Sequence, residues 1–228
     1  MRKLISVALC VVVILISVPI KSSAAENKPV YNSNVNESKK IALTFDDGPH
    51  PRNTPEILKI LDKYGVKATF FIIGVNAKNY PETLSKVVES GHELGNHTYS
   101  HKILKSKSKE EISKEIIDTE REISKKNEYV TTLIRPPCGF YDDGLISLAN
   151  ENDYKIVLWS IDTHDWAHAS VESIVSTVTN GLHGGDIILF HDYISGENNT
   201  PEALRIIIPR LLKQGYEFVT VSELLQSA

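Results

Sequence analysis

Cysteine is almost absent from this chain, which has two in 228 residues, Cys10 and Cys138. Cys10 lies inside an apolar run close to the N-terminus, so removal of that run would leave Cys138 without a partner. An intramolecular disulfide is then excluded, and the fold depends on its hydrophobic core. Such a core is available, because 41% of the residues are hydrophobic and the length fits one domain of roughly 200 residues.

The chain also lacks an excess of basic residues. Its 25 Lys and Arg are outnumbered by 29 Asp and Glu, which gives a formal net charge of −4 at pH 7. Without the first 25 residues, which contain three basic and no acidic residues, the net charge falls to −7. A nucleic-acid partner requires a basic surface that attracts phosphates, so this composition argues against nucleic-acid binding.

One long hydrophobic run is present, at the N-terminus. Two basic residues precede the apolar segment from Leu4 to Ile20, and the small residues Ser22–Ala25 follow it. This order predicts a secretory signal peptide over residues 1–25, and therefore a secreted or cell-wall-associated protein. An uncleaved membrane anchor is the alternative. The polar residues 26–39 are interpreted as a linker.

Short apolar runs alternate with amphipathic segments over residues 40–228, which are interpreted as one domain. This alternation predicts an α/β fold with a mainly parallel sheet. About seven strands in one compact unit favour a barrel over an open sheet, although the pattern alone is compatible with both. The predicted strands are 40–46, 67–73, 93–96, 131–135, 155–160, 186–190 and 216–219.

Three segments predict where helices begin. Thr54-Pro55-Glu56 and Thr200-Pro201-Glu202 each combine an N-cap residue with Pro at the first helical position and an acidic residue that suits the helix dipole. The segment Ser108–Glu111 has the spacing of a capping box, in which its two end residues exchange hydrogen bonds.

Polar residues follow the predicted strands at their carboxyl ends. In a (β/α) barrel these ends form one rim, and active sites lie there. We therefore expect several polar side chains to converge on that rim. In chain order they are Asp46, Asp47, His97, Arg135, Asp162, Asp165 and His191.

The first of these groups is a pair of adjacent carboxylates, Asp46 and Asp47, between an apolar run and a Gly-Pro breaker. Two acidic groups at the end of a buried strand repel each other and lose hydration, so they require a cation or a shared proton. His97 and His101 are four residues apart, which would place both on one face of a helix. One Asp and two His can hold zinc, cobalt, nickel or iron with open positions for water and substrate, and the other Asp is left as a general base.

Hydrolysis also requires an acid for the leaving group. His191 lies at the end of an apolar strand, and Asp165 is a candidate to stabilise its charged form. Arg135, in an Arg-Pro-Pro turn, is a candidate to orient Asp46 through a charge-assisted hydrogen bond. Together these residues favour a metal-assisted hydrolysis.

The set of motifs resembles the polysaccharide deacetylase family, also known as the NodB-homology family or the fourth carbohydrate esterase family. The resemblance covers about residues 38–226 and depends most on Thr44–Pro49 and His97–His101, in that order and spacing. It implies a distorted (β/α) barrel and metal-dependent removal of acetyl groups from N-acetylated sugars. Further matching segments are Arg135, Asp165-Trp166 and Leu189-Phe190-His191.

The resemblance also implies a role for each matching residue. Asp46 would be the base, and Arg135 would orient it. His191 would be the acid, with Asp165 as its partner. The implied metal ligands are Asp47, His97 and His101.

For the substrate, the resemblance implies that Trp166 and Leu189 line the acetyl pocket. It also implies that the backbone N–H at Cys138 helps to stabilise the oxyanion. Many members of the family carry Tyr at the position of Cys138 and Asn near that of Asp142. A backbone donor is kept whichever side chain is present, so the first departure leaves this donor in place.

We therefore expect a secreted, metal-dependent N-acetyl polysaccharide deacetylase with one divalent metal ion, zinc ahead of cobalt, nickel or iron. Its expected partner is a polysaccharide, namely peptidoglycan, with N-acetylglucosamine ahead of N-acetylmuramic acid. The alternatives within this class are chitin oligosaccharides, an acetylated exopolysaccharide, and acetylxylan, whose cleavage would be an esterase reaction. A membrane partner is expected only through an uncleaved signal.

Two other classes of protein fit this sequence less well. An iron oxygenase also uses two His and one carboxylate, but its usual His-x-Asp spacing is missing and it gives the paired Asp no role. A non-catalytic glycan-binding protein on the same scaffold would usually have lost a ligand or the base. All of these residues are present in the sequence.

Overall fold

The computed structural model describes residues 29–34 and 39–226 of the chain. The predicted signal peptide, residues 1–25, lies outside the described residues. Within those two ranges, no helix combines the length and the apolarity that crossing a membrane requires.

A parallel sheet forms the centre of the fold. The described part of the chain contains nine strands: Val30–Tyr31 (β1), Lys40–Asp46 (β2), Thr69–Ile72 (β3), Glu93–Asn96 (β4), Leu133–Ile134 (β5), Lys155–Val157 (β6), Ile161–Asp162 (β7), Ile187–His191 (β8) and Glu217–Phe218 (β9). They lie side by side in the order β1-β6-β5-β4-β3-β2-β8-β7, and β9 pairs with the start of β2. The sheet is curled into a half-barrel, so the predicted distorted (β/α) barrel is confirmed, with nine strands instead of about seven.

Strand β1 lies inside the segment 26–39 that the sequence analysis interprets as a linker. Val30 pairs with Ile156 of β6, and the buried Asn34 donates its side-chain amide to the backbone oxygen of Leu224 at 2.6 Å. The linker interpretation is therefore wrong for this part of the segment. Backbone hydrogen bonds hold β1 on the sheet edge, and they do not depend on apolar side chains.

Strand β7 is the other strand that the sequence analysis does not predict. The predicted strand 155–160 ends at Val157, and the chain then forms β7, in which Ile161 pairs with Ile188 of β8. As a result Asp162 is the last residue of a strand on the opposite edge of the sheet from β6.

Helices connect the strands and pack against the sheet. The described residues form eight α-helices: Asn53–Tyr64 (α1), Gly74–Asn79 (α2), Pro81–Glu89 (α3), Lys109–Asn127 (α4), Asp143–Glu151 (α5), Val171–Gly181 (α6), Thr200–Lys213 (α7) and Val221–Gln226 (α8). Two single turns of 3-10 helix, Pro137–Gly139 and Asp165–Ala167, follow β5 and β7.

Helix α4 begins with the predicted capping box. The hydroxyl of Ser108 accepts the N–H of Glu111 at 3.2 Å, and the carboxylate of Glu111 accepts the N–H of Ser108 at 3.1 Å. Two N–H groups that would otherwise lack a partner at the helix start are thereby satisfied.

The predicted N-caps Thr54 and Thr200 are wrong. Helix α1 begins at Asn53 and α7 at Thr200, so both threonines lie in the first turn, where neither caps the helix. Each instead donates its hydroxyl to a buried carboxylate, Thr54 to Asp192 and Thr200 to Asp165. A buried carboxylate without donors would lose its hydration uncompensated, so this tertiary demand overrides the local preference for a cap.

The core lies on both faces of the sheet because alternate residues of a strand point to opposite sides. On the helix-covered face, Phe45 stacks between Phe70 and Phe190 with ring centroids 4.9 and 5.8 Å apart. A smaller cluster that contains Ala42 and Phe71 packs on the other side against α8. This packing fixes the strand register, so Asp46 lies beside His191 at the carboxyl end of the sheet.

Candidate active site

Asp46, the last residue of β2, is buried and is held by Arg135. The guanidinium NH1 donates to Asp46 Oδ1 at 2.8 Å and to Thr44 Oγ1 at 2.8 Å. Arg135 is fully buried, and its other nitrogens donate to the carbonyl oxygens of Val157 and Leu158 at 3.1 and 2.9 Å. Each of the three guanidinium nitrogens thus donates at least one hydrogen bond, and one carboxylate oxygen of Asp46 is fixed by a charge-assisted bond.

Arg135 is also packed between aromatic rings. Its guanidinium carbon lies 4.0 Å from the ring centroid of Phe71 and 5.6 Å from that of Trp159. Burial lowers the pKa of Arg135, but the adjacent Asp46 opposes this shift, and an arginine remains cationic in any case. The predicted contact between Arg135 and Asp46 is therefore present, with the arginine beneath the cleft rather than in it.

Asp47 lies at a sharp turn after the strand. Its backbone is left-handed, with φ 75°, and its carbonyl accepts the side-chain amide of Asn76 at 2.7 Å. The next residue, Gly48, has no room for a side chain, because a Cβ there would overlap the carboxylate of Asp192. The Asp47 side chain lies beside the imidazole rings of His97 and His101.

His97 and His101 do lie together, but not for the predicted reason. Residues 97–101 form a loop rather than a helix, and two of them, Thr98 and His101, have left-handed backbone with φ 67° and 57°. The predicted placement of both histidines on one helical face is therefore wrong, because the tertiary contacts of the loop override the spacing. The two imidazole rings are nevertheless 5.0 Å apart, centroid to centroid.

Three ligand atoms converge beside this loop. Asp47 Oδ1 lies 3.4 Å from His97 Nε2 and 3.3 Å from His101 Nε2. One ligand atom from each of these residues lies within 4.8 Å of the others, which is a spacing that a single metal ion can bridge. The burial differs across the group, since His97 is buried and the side chain of His101 is 39% exposed.

The chemistry of these donor atoms fits a divalent cation. His97 Nδ1 lies 2.7 Å from the carbonyl oxygen of Arg135, and a carbonyl can only accept. Nδ1 therefore carries the proton, and the lone pair of Nε2 faces Asp47. Asp47 Oδ1 is buried and has no hydrogen-bond partner in the described structure. A bare carboxylate oxygen beside a bare imidazole nitrogen is costly unless a cation binds there.

His191 and Asp165 form a second polar group. His191 Nδ1 lies 2.8 Å from Asp165 Oδ1, and the backbone N–H of His191 donates to Asp165 Oδ2 at 2.8 Å. Thr200 donates its hydroxyl to the same Oδ2 at 2.6 Å. Burial lowers the pKa of His191, but the hydrogen bond and charge of Asp165 outweigh it and raise the pKa to about 9.

Asp192 is a buried carboxylate to which the sequence analysis gives no role. It lies under the turn at Gly48, its backbone N–H donates to the carbonyl of Asp46 at 3.2 Å, and its Oδ2 accepts the hydroxyl of Thr54. Burial raises the pKa of Asp192 to about 7, although the hydrogen bond from Thr54 opposes the shift. No motif in the sequence indicates this position, because it depends on contacts with Gly48 and Thr54, which are distant in the chain.

A cleft of about 360 Å³ joins these groups. Eight of the ten predicted site residues line it, whereas Arg135 and Asp165 are buried behind it. Cys138 is exposed in the cleft wall, with φ 57° in its short turn. The full lining is Asp46, Asp47, His97, His101, Cys138, Trp159, Asp162, Trp166, Leu189 and His191.

Trp159 and Asp162 line the cleft but are absent from the predicted set of site residues. Asp162 Oδ1 accepts the indole N–H of Trp166 at 3.3 Å and the backbone N–H of His164 at 2.9 Å. The sequence predicts Asp162 on the rim but gives it no role. The sequence does contain a signal for both residues. Trp159 and Asp162 stand at the end of an apolar run and shortly before Asp165-Trp166.

Comparison with known proteins identifies the class. The family model described as "Polysaccharide deacetylase" matches residues 33–157. A peptidoglycan-N-acetylglucosamine deacetylase of Bacillus cereus is 44% identical over 84% of this chain and 90% of its own. A peptidoglycan-N-acetylmuramic acid deacetylase of Bacillus subtilis is 42% identical over 82% of this chain, which covers 38% of that longer protein.

Solved structures agree with this result. A peptidoglycan N-acetylglucosamine deacetylase in complex with 4-naphthalen-1-yl-N-oxidanyl-benzamide has a TM-score of 0.84 and 37% identity, covering 87% of this chain and 94% of the other. A CE4 family pseudoenzyme from Bacillus anthracis has a TM-score of 0.80 and 31% identity, covering 86% and 68%. The chain therefore belongs to the polysaccharide deacetylase family. Because the fold also occurs in a pseudoenzyme, activity has to be argued from the residues in the cleft.

Proposed function

We propose that this protein is a metal-dependent deacetylase that hydrolyses N-acetyl groups of peptidoglycan, at N-acetylglucosamine in preference to N-acetylmuramic acid. The observation that carries the proposal is the arrangement in one cleft of three polar groups. They are a carboxylate fixed by Arg135, three potential ligand atoms within 4.8 Å of one another, and a histidine charged by Asp165. A hydrolase requires a base, an electrophile and an acid, and these groups can supply all three.

The proposed ligands of the divalent metal are Asp47, His97 and His101. Two imidazoles and one carboxylate suit zinc, and three protein ligands leave coordination positions open for water and substrate. When bound, a divalent ion would polarise the acetyl carbonyl and acidify the attacking water. Zinc is the proposed ion, with cobalt, nickel or iron as alternatives.

Asp46 is the proposed general base. Arg135 holds its Oδ1 at 2.8 Å, which leaves Oδ2 as the oxygen that can take a proton from the attacking water. Oδ2 lies 3.7 Å from His97 Nε2, so the base is adjacent to the proposed metal site. Because Oδ1 is fixed and Oδ2 is available, the proton of the attacking water would be transferred to Oδ2.

His191 is the proposed general acid. Attack of water on the acetyl carbon forms a carbon–oxygen bond, and the carbon–nitrogen bond then breaks to give acetate and a free sugar amine. The departing nitrogen must be protonated, and Asp165 keeps a proton available on His191. His191 lines the cleft, whereas Asp165 is buried behind it, so only the histidine can reach the substrate.

The remaining residues are proposed to hold the acetyl group. Trp166 and Leu189 would form the walls around its methyl group, and the backbone N–H at Cys138 would help to stabilise the oxyanion. Trp159, which packs over Arg135, adds a third apolar surface to the same cleft.

We further propose that residues 1–25 direct export and are removed, so that the enzyme is secreted or associated with the cell wall. This proposal is supported by the basic, apolar and small residues of the N-terminus. N-terminal sequencing of exported protein should find Glu26 or a close neighbour first. Retention of residues 1–20 would instead indicate a membrane anchor.

A non-catalytic glycan-binding function is the rival, and the pseudoenzyme with the same fold keeps it relevant. Against it, the residues proposed as base, metal ligands and acid are all present and all line one cleft, which supports catalysis. A binding protein would have no use for Asp47 Oδ1, a buried atom without a partner.

The function is tested by acetate release from a panel of substrates. The panel should contain peptidoglycan, chitin oligosaccharides and acetylxylan, each with the purified protein after chelation and after addition of zinc. We expect acetate from peptidoglycan that disappears on chelation and returns with the metal. Release from acetylxylan alone would favour the esterase, and no release from any substrate would favour the binding protein.

A further inference from the structure

The loop that carries two proposed metal ligands, residues 97–101, has an unfavourable backbone. Thr98 and His101 adopt left-handed conformations, which cost energy for residues with a Cβ and especially for a β-branched threonine. The sequence alone would favour a helix with this spacing. The loop must therefore be held by contacts from elsewhere in the fold.

Glu115, on the inner side of α4, supplies such contacts. Its Oε2 accepts the backbone N–H of Tyr99 at 2.9 Å and that of Ser100 at 2.8 Å. Its Oε1 accepts the hydroxyl of Ser100 at 2.9 Å. Both oxygens of one carboxylate thus bind two consecutive loop residues, and such charge-assisted bonds are roughly twice as strong as neutral ones.

The other anchors of the loop are neutral. Asn96 accepts the N–H of Thr98 at 2.9 Å, and the first N–H groups of α2, from Gly74 and Val75, donate to the carbonyls of Thr98 and Tyr99 at 3.0 and 2.9 Å. These bonds fix the first half of the loop. The half nearer to His101 is held by the bonds to Glu115.

The two histidines depend on the loop to different degrees. His97 is buried, and its ring is fixed by the carbonyl of Arg135 at 2.7 Å. The His101 side chain is 39% exposed, and its ring nitrogen lies 3.3 Å from Asp47 Oδ1. The position of His101 is therefore set mainly by the backbone that Glu115 holds.

We infer that Glu115 is a positioning residue for the metal site, which holds His101 in place beside Asp47 and His97. The inference rests on the proposed metal-dependent function. It assigns Glu115 no contact with metal or substrate, because its carboxylate is occupied by the loop. Removing such supporting contacts typically weakens metal binding by roughly 10–100-fold.

The test compares Glu115→Ala and Glu115→Gln with the wild-type protein. Glutamine keeps one carbonyl oxygen, which can still accept from the two N–H groups, so it should rescue part of the affinity. Glu122→Ala is the matched control. Glu122 lies two turns further along α4 and pairs with Lys125 instead of the loop.

The dissociation constant of Zn²⁺, measured by competition with a chelator, is the first readout. We expect it to rise by about 10-fold or more in Glu115→Ala, by less in Glu115→Gln, and not at all in Glu122→Ala. The absorption spectrum of the Co²⁺-loaded protein is the second readout. It should change in Glu115→Ala, because the geometry at His101 is altered.

Thermal unfolding of the metal-free proteins separates positioning from general stability. A lower melting temperature with unchanged Zn²⁺ affinity and Co²⁺ spectrum would overturn the inference, since Glu115 would then only support the fold. If Glu115→Ala does not fold, equal Zn²⁺ affinity in Glu115→Gln, Ser100→Ala and wild type would overturn it as well. Failure of the wild-type protein to bind Zn²⁺ or Co²⁺ would instead reject the proposed metal-dependent function itself.

Discussion

The pair His191 and Asp165 allows a quantitative prediction. Against the effect of burial, the hydrogen bond and charge of Asp165, together with the charges of Asp46 and Asp47, raise the pKa of His191 from an ordinary 6.5 to about 9. A shift of about 2.5 units corresponds to roughly 3 kcal/mol, at 1.36 kcal/mol per unit. Asp165→Asn removes the charge but keeps the size of the side chain. We therefore expect the pKa of His191 to fall well below 9, because burial is then opposed only by the charges of Asp46 and Asp47.

The assay is an NMR titration of the histidine ring protons in the metal-free protein, since a bound cation would itself lower the pKa of a nearby histidine. The His191 signal is assigned by its loss in His191→Gln. Asp162→Asn serves as the control, because Asp162 binds His164 and Trp166 rather than His191. A wild-type pKa near 6.5, or the same pKa in Asp165→Asn, would refute the electrostatic argument.

The same shift predicts how stability depends on pH. The folded protein binds the His191 proton more tightly than the unfolded chain does, because the folded pKa of about 9 exceeds 6.5. The resulting stabilisation is fully present below pH 6.5 and is lost as the pH rises towards 9. In Asp165→Asn this loss of stability between pH 6.5 and 9 should become smaller in chemical denaturation curves, because only the charges of Asp46 and Asp47 still raise the pKa of His191.

Three further predictions concern the metal site, the oxyanion position and the strand-end turn. Asp46→Asn should keep bound metal but lose about 10²–10⁴-fold in turnover, whereas Asp47→Ala should lose both metal and turnover. Metal analysis and acetate assays check this, and the opposite pattern would mean that the roles of base and metal ligand are exchanged between the two residues. Cys138→Ser should retain most of the turnover because its backbone N–H is kept, and an inactive but folded, metal-loaded variant would reveal a role for the thiol. Gly48→Ala should destabilise the fold by about 1–3 kcal/mol in urea denaturation, because a Cβ overlaps the Asp192 carboxylate. The double variant with Asp192→Ala should recover part of this loss, and equal stability of Gly48→Ala and wild type would contradict the overlap.

Residues that end apolar strands could be predicted from the sequence. Asp46 and His191 each follow a run of buried residues, and in a parallel sheet the carboxyl ends of neighbouring strands meet. The contact of Arg135 with Asp46 could also be anticipated, since a buried carboxylate requires a cation or donor. These features depend on local pattern and on simple charge balance.

Features that depend on distant contacts could not be predicted in this way. The four-residue spacing of His97 and His101 suggests a helix, whereas the loop is held by Glu115, 14 residues beyond His101 in the sequence. The local sequence around Thr54 resembles a helix cap, whereas its hydroxyl is used by Asp192 at the other end of the chain. In both cases a buried or charged acceptor from another element outweighs a local preference worth about 1 kcal/mol.

Simultaneous measurement of acetate and free amine tests the central claim most directly. Purified peptidoglycan would be incubated with zinc-loaded wild-type protein and with zinc-loaded Asp46→Asn. We predict equal amounts of acetate and new glucosamine amine with the wild type, and almost none of either with the variant. Acetate without amine would mean that an ester is cleaved, and the absence of both products with zinc-loaded wild-type protein would contradict the claim that this cleft removes N-acetyl groups from peptidoglycan.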